Sequence, residues 1–201
     1  MTPEALAGLI RQRAVRQGRF ITALAGPPGA GKSTLAEAVV AALGTGARVV
    51  PMDGFHLDNQ VLDARGLRAR KGCPESFDAL GFVHLIRRLR AEDEVVIPVF
   101  DRGLDLARAG GDVVGPADKL LIVEGNYLLL DSAPWSEARP LYDLTVALDV
   151  PEAELERRLI RRWLDHGHDA AAAEARALSN DIPNARRVLQ GSVAAEIVIR
   201  Q

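Results

Sequence analysis

The chain sets short unbroken apolar runs against longer segments with helical spacing. Arg19 to Ala25, Lys119 to Glu124 and Leu144 to Asp149 are runs of the first kind. Such runs, free of polar alternation, predict strands buried on both faces, as in a parallel sheet. Shorter strands are predicted at 48–52, 94–100 and 193–199, with Pro98 marking an edge or a break. Helical spacing predicts helices over 2–17, 32–43, about 77–89 behind a Ser76 cap, 152–167 and 169–178. Gly44-Thr45-Gly46 ends the second of these, and Asn180-Asp181-Ile182-Pro183-Asn184 reads as a turn. From Leu57 to Glu75 both periods vanish and charge accumulates, which marks a long functional loop or lid. Strands alternating with helices predict one α/β domain over 1–201, with a mostly parallel sheet and helices on both faces.

One stretch changes the picture. Gly26-Pro27-Pro28-Gly29-Ala30-Gly31-Lys32-Ser33-Thr34 fits the phosphate-binding pattern G-x-x-x-x-G-K-[ST], with a predicted strand before it and a helix after it. The glycines let the backbone fold tightly and aim its N–H groups at one point, where the helix N-terminus adds positive partial charge. Lys32 would add a mobile cation over the outer phosphates, and the Ser33 hydroxyl would be a ligand for Mg²⁺. The segment predicts binding of a nucleoside triphosphate.

Composition narrows the class without naming the reaction. The 201 residues are 48% hydrophobic and 26% charged, with a net charge of −2, which gives no reason to expect nucleic acid as the main partner. Cys73 is the single cysteine and cannot form an internal disulfide. Near the N-terminus the apolar run Ala5 to Ile10 precedes the arginines, the reverse of a signal peptide. No stretch approaches a membrane span. A soluble cytoplasmic protein is expected.

Phosphoryl transfer needs a bound triphosphate, a metal, surrounding cations and a base for the acceptor hydroxyl. Asp53, Asp101 and Glu124 follow predicted strands, where ligands gather in open parallel sheets. Glu124 is assigned to the metal with Ser33, and Asp53 to the base. His56 follows Asp53 closely and is a candidate substrate contact. Arg158, Arg161 and Arg162 lie on the charged helix and could close over the triphosphate, against the alternative of a salt-bridged surface helix. Arg65, Arg68, Arg70 and Lys71 could grip an anionic acceptor or be solvated.

Together these residues resemble the uridine kinase, phosphoribulokinase and bacterial pantothenate kinase group of small-molecule kinases. Met52-Asp53-Gly54-Phe55 is similar to the group's Asp-Gly-Phe segment, whose Asp is the catalytic base. Arg70-Lys71-Gly72-Cys73-Pro74-Glu75-Ser76-Phe77-Asp78 is similar to a pantothenate kinase signature, and Val123-Glu124-Gly125-Asn126 to its metal-associated turn. Arg158-Leu159-Ile160-Arg161-Arg162 resembles the lid arginines of uridine kinases. Val99-Phe100-Asp101-Arg102-Gly103 departs from both, because it lacks their histidine. Together with the Asn-Asp-x-Pro-Asn segment it resembles a short subgroup called fructose transport system kinases.

The resemblance implies a P-loop NTPase three-layer fold with a five-stranded sheet, an acceptor loop at about 54–76 and a helical lid at about 152–180. It implies ATP and Mg²⁺ as cofactors and a small-molecule phosphate acceptor, a sugar such as fructose, with pantothenate and nucleosides as alternatives. It implies acceptor contacts at Asp53, Phe55, His56, Arg70, Asp101, Arg102 and Asn126, a nucleotide contact at Asn184, and a homodimer as one oligomeric state. An ATP-hydrolysing switch associated with a transporter is the rival of another class. The chain has no Asn-Lys-x-Asp segment of common GTPases and no Leu-Ser-Gly-Gly-Gln segment of transporter ATPases.

Overall fold

A computed structural model describes residues 1–15 and 18–201. The sheet is built from β1 (Phe20–Ala25), β2 (Ala47–Pro51), β5 (Leu120–Gly125), β6 (Leu144–Asp149) and β7 (Ile197–Arg200), in the order β2-β5-β1-β6-β7. Every pairing in it is parallel. Helices cover both faces, which is why the strands read as continuous apolar runs. Ile21, Ala23, Val50, Leu121 and Val123 pack against Phe82, Val83, Ile86 and Leu89 of α4 (Ala79–Ala91) on one face. On the other, Leu24, Ile122, Leu144 and Val146 meet Leu6 and Ile10 of α1 (Pro3–Arg13), Ala36 and Val39 of α2 (Lys32–Leu43), and Leu155 and Leu159 of α5 (Glu152–Asp165).

The structure departs from the sequence pattern in several places, and the last strand, expected at 193–199, begins only at Ile197. The expected strand at 94–100, here β3 (Val95–Asp101), does not join the parallel sheet. It forms a separate antiparallel hairpin with β4 (Leu106–Val114), which the sequence did not predict because Ala109-Gly110-Gly111-Asp112 weakens its apolar signal. The register shifts between Ile97 and Val99, at Pro98, whose missing N–H interrupts the ladder. The charged stretch after Leu57 is not irregular throughout: α3 (Asn59–Ala64) opens it under an Asp58 cap. Asp78, not Ser76, caps α4 by accepting from the Gly81 N–H. The expected turn at 180–184 is helical: α6 (Ala170–Arg176) runs through a π turn (Ala177–Asp181) into α7 (Ile182–Gly191), and Pro183, which lacks the N–H of a regular helical bond, directly follows that irregular turn. The N-terminal helix ends at Arg13, and the expected positions Arg16 and Gln17 lie outside the described residues.

Arg19, just before β1, joins these layers. Its guanidinium donates to the carbonyl oxygens of Asp118 (3.1 Å), Leu89 (3.1 Å), Glu92 (2.6 Å), Val114 (3.3 Å) and Gly115 (2.9 Å), and to that of Asp93. One planar five-donor group, with an Nη2 N–H shared between oxygens, thereby reaches carbonyls from the end of α4, the ends of the hairpin and the entry to β5. Arg19→Ala is expected to lower unfolding free energy by about 2–3 kcal/mol, with Arg19→Lys recovering little of it. Urea unfolding checks this, and a lysine variant as stable as the native chain would contradict it.

Candidate active site

Register brings the candidate groups together. Pro51 pairs with Glu124 across β2 and β5, and Ala25 pairs with Gly125 across β1 and β5. The three strands therefore end side by side. The chain beyond β1 is the phosphate loop, beyond β2 a 3₁₀ turn over Met52–Phe55, and at the end of β5 Glu124 itself. Gly54 is required in that turn, because a Cβ there would stand 2.4 Å from the Pro98 carbonyl oxygen of β3. The hairpin thus presses directly on the turn that carries Asp53.

The phosphate loop has the form its sequence predicts. Gly29 and Gly31 take φ of 81° and 83°, left-handed values that glycine adopts freely. Gly31 begins α2 without a side-chain cap, so the first N–H groups of the helix remain available to an anion. Lys32 is 8% exposed and its Nζ donates to the Pro27 carbonyl oxygen at 2.9 Å. Burial pulls its amine down to about 8, against the opposing pull of Glu124 and Asp53. Gly26, Pro27 and Ala30 build the loop rather than line the cavity beside it, whereas Pro28, Gly29, Gly31, Ser33 and Thr34 line it.

Ser33 Oγ donates to Glu124 Oε1 at 3.2 Å. Glu124 is 6% exposed, and burial raises its carboxyl above the usual range. A hydroxyl and a carboxylate beside a phosphate cradle fit Mg²⁺, which prefers oxygen donors and takes most of its ligands from phosphates and water.

On the other side of the cavity, Arg102 Nη2 lies 3.5 Å from Asp53 Oδ2. His56 stacks on Phe77 (4.0 Å between ring centres) and Phe100 (4.6 Å), with Nδ1 held 2.8 Å from the Asp53 carbonyl oxygen. Burial holds its imidazole below its ordinary value. Asn126 also lines the cavity. Lys71, only 9% exposed, is fixed by Asn59 Oδ1 (2.8 Å) and by the carbonyl (2.7 Å) and carboxylate (2.9 Å) oxygens of Asp105. Asp105 has φ of 53°, the one non-glycine positive value among the described residues, at the tip of the β3–β4 hairpin. Behind Lys71 the loop is pinned: Gly72 N–H donates to Ser76 Oγ (2.8 Å), Ser76 Oγ to the Cys73 carbonyl (2.7 Å), and the buried Tyr127 Oη to the Gly72 carbonyl (2.5 Å).

The segment expected to be a lid supplies a third wall. Leu155 and Leu159 anchor α5 against the core, and Leu159 lies close to Gly29. Arg162 reaches the cavity with Trp163, Arg176, Asp181 and Asn184. Arg158 stays at the back of the phosphate loop, with Nε 2.6 Å from Glu154 Oε1 and Nη1 3.1 Å from Gln201 Oε1 and 3.5 Å from the Gly29 carbonyl.

Besides Arg158, four candidate side chains are not brought to the cavity. Arg161 is exposed and pairs with Asp165 at 2.9 Å, one helical step beyond the inward face. Phe55 packs edge-on to Phe82 in the core. Arg70 donates to Asn180 Oδ1 at 3.3 Å, and Asp101 holds the hairpin turn through the Leu104 N–H at 3.1 Å. Sequence reasoning passed over Phe77, Phe100, Asp105, Trp163, Arg176 and Asp181, and left Lys71 open as solvated charge. Lys71 stands directly before the Gly72-Cys73-Pro74 turn, which is the signal that could have found it.

Comparisons with known proteins agree with this geometry. Residues 21–190 match the model of the phosphoribulokinase / uridine kinase family. A crystal structure from Silicibacter sp. TM1040, provisionally titled a fructose transport system kinase, superposes with a TM-score of 0.95 at 46% identity over 99% of both chains. A protein of Schizosaccharomyces pombe provisionally named a uridine kinase is 35% identical over 92% of this chain and 84% of its own length. A pantothenate kinase of Streptomyces avermitilis is 31% identical over 72% of this chain and 47% of its own length. Among the described residues no helix is long and apolar enough to cross a membrane.

The His56 stack yields a pH prediction. Because burial makes the folded state bind the imidazole proton less tightly than the unfolded chain, whose ordinary value is 6.5, this contribution to stability is present above that pH and is lost as pH falls below it. Between about pH 7.5 and about pH 5.5, the native chain should lose more stability in urea than His56→Phe, which keeps the stacking without titrating. Equal losses would show that the ring takes up its proton at no cost.

Proposed function

Because the chain belongs to the phosphoribulokinase / uridine kinase family and is a P-loop kinase of that group, we propose that it transfers the γ-phosphoryl group of ATP to a hydroxyl of a neutral sugar-like metabolite such as fructose. The observation that carries this reading is the meeting of Asp53, Lys32 and Glu124 in one cavity whose acceptor-side cations are each matched by an acid. Lys71 is paired with Asp105 and Arg102 faces Asp53. An acceptor bearing its own negative charge would have to displace one of those carboxylates. A polyol needs only the donors and acceptors already in place, together with an apolar face such as Phe100 or Phe77. The name of the Silicibacter relative supports the same class.

In this reading Asp53 accepts the proton of the attacking hydroxyl, and Arg102 keeps its carboxylate turned toward the acceptor. Lys32 and the free N–H groups of α2 hold the outer phosphates, and Arg162 closes from the lid over the charge that develops on the moving group. Arg158 braces the phosphate loop from behind. Ser33 and Glu124 would hold Mg²⁺, which would supply charge compensation for the bound phosphates. His56 fixes the Asp53 turn, and Asn126 and Lys71 orient acceptor hydroxyls.

ATP consumption across fructose, other sugars, glycerate, pantothenate, uridine and nicotinamide riboside tests the reading. A neutral sugar is expected to raise turnover well above basal hydrolysis. Stimulation by glycerate or pantothenate alone would overturn the neutral-acceptor assignment, and a flat panel would favour the transporter-linked switch. With the active acceptor, Asp53→Asn should lower kcat by about 10²–10⁴-fold while ATP binding persists. Loss of both would make Asp53 a structural residue. Glu124→Gln should raise the Mg²⁺ concentration needed for half-maximal turnover, and an unchanged requirement would remove Glu124 from the metal.

A further inference from the structure

Asn180 and Asp181 stand next to each other on the π turn between α6 and α7. An extra residue in a helical turn re-aims the side chains around it, and such turns are frequent at functional sites. Here two consecutive side chains reach opposite walls of the cavity. Asn180 is 1% exposed; its Nδ2 donates to the Lys71 carbonyl oxygen at 2.8 Å, and its Oδ1 accepts from Arg70 Nε at 3.3 Å and from Asn184 Nδ2 at 3.4 Å. Asp181 Oδ2 accepts from the Trp163 indole N–H at 2.6 Å. The guanidinium groups of Arg162 and Arg176 lie 5.7 and 5.4 Å from the centre of that indole ring. Arg176 Nη1 in turn donates to the Ala69 carbonyl oxygen at 3.2 Å.

Two backbone carbonyls of the acceptor loop, Ala69 and Lys71, are therefore held by lid side chains, and the indole that sits against Arg162 is held from the same turn. A shift of either wall alone would strip a buried amide of its partner, and a buried unpaired polar group is the costly outcome. We propose that Asn180 is a positioning residue that joins the acceptor loop to the lid, so that filling the phosphate half of the cavity tightens the acceptor half. This rests on the nucleotide-binding reading given above, and linkage requires the effect to run in both directions.

Hydrogen–deuterium exchange on the full chain tests it without any knowledge of the acceptor. The probe is a non-hydrolysable ATP analogue with Mg²⁺, and the readout is exchange across residues 67–76. In the native chain the bound analogue is expected to slow exchange in this loop. In Asn180→Ala the analogue should bind within about threefold of native affinity, and most of that protection should disappear. Arg176→Ala removes a less buried tie; it should lose a smaller part, and it decides the question if Asn180→Ala does not fold. Full loop protection in either variant with analogue bound would overturn the proposal, as would a native loop indifferent to bound analogue. Failure of the native chain to bind the analogue at all would sink the kinase reading as well, and the affinity measurement reports that separately.

Discussion

Lys32 is a cation taken out of water with a single neutral partner, the Pro27 carbonyl, in direct contact. Burying a charge is tolerated only where something of opposite sign compensates it. Glu124 and Asp53 act on it through space, and neither forms an ion pair with it among the described residues. The site is therefore organised around a compensation that the protein itself leaves incomplete. Parallel strands that end at one level, glycines in left-handed conformations and an uncapped helix start all follow from placing a buried amine where an anion can arrive. Within the family, that anion is the outer part of ATP.

The phosphate-loop half of the site was legible in the sequence because its constraints are local. A strand, a glycine-rich loop and a helix follow one another within 19–43, and the residue types needed for tight backbone turns cannot be disguised. The half around Asp53 and Lys71 was less legible because its contacts are long-range. Lys71 acquires meaning only beside Asn59 and Asp105, residues brought together by a hairpin whose second strand carries two adjacent glycines and little apolar patterning. Asn180 to Asn184 has every mark of a turn by composition. The side chains of Asn180 and Asp181 are spent on tertiary partners instead, and the backbone stays helical around them. Arg161 shows the same limit from the other side: its charge fits a lid, but only the helix's rotation about its axis, set by Leu155 and Leu159, decides which arginine looks inward.

Charge matching divides the cavity into two chemistries. Around the phosphate loop, Lys32, Arg162 and the uncapped start of α2 bring positive groups to one wall of the cavity, the arrangement that favours an anion. Around Asp53 and Lys71, opposite charges are already paired, and the stacked rings of His56, Phe77 and Phe100 give the wall flat apolar surface between polar edges. Neutral donors and acceptors read the outline of a hydroxylated molecule well, because a missing partner leaves one of them buried and unpaired.

The β3–β4 hairpin shares no strand pairing with the five-stranded sheet; it meets the rest of the molecule through Val95, Ile97 and Val114, buried in the core beside α4, through the Asp112–Arg48 ion pair, the close approach of Pro98 to Gly54, the carbonyls held by Arg19 and the grip of Asp105 on Lys71. A module that shares no backbone ladder with the sheet can change at its outward positions, such as Val96, Leu104 and Val113, without disturbing the hydrogen-bonded ladder that fixes Lys32 and Glu124. The architecture thus separates what must stay constant, the handling of the phosphate donor, from what can be exchanged over evolutionary time. Such a family can diversify its acceptors by replacing one wall of the cavity while the energy-supplying half is inherited unchanged.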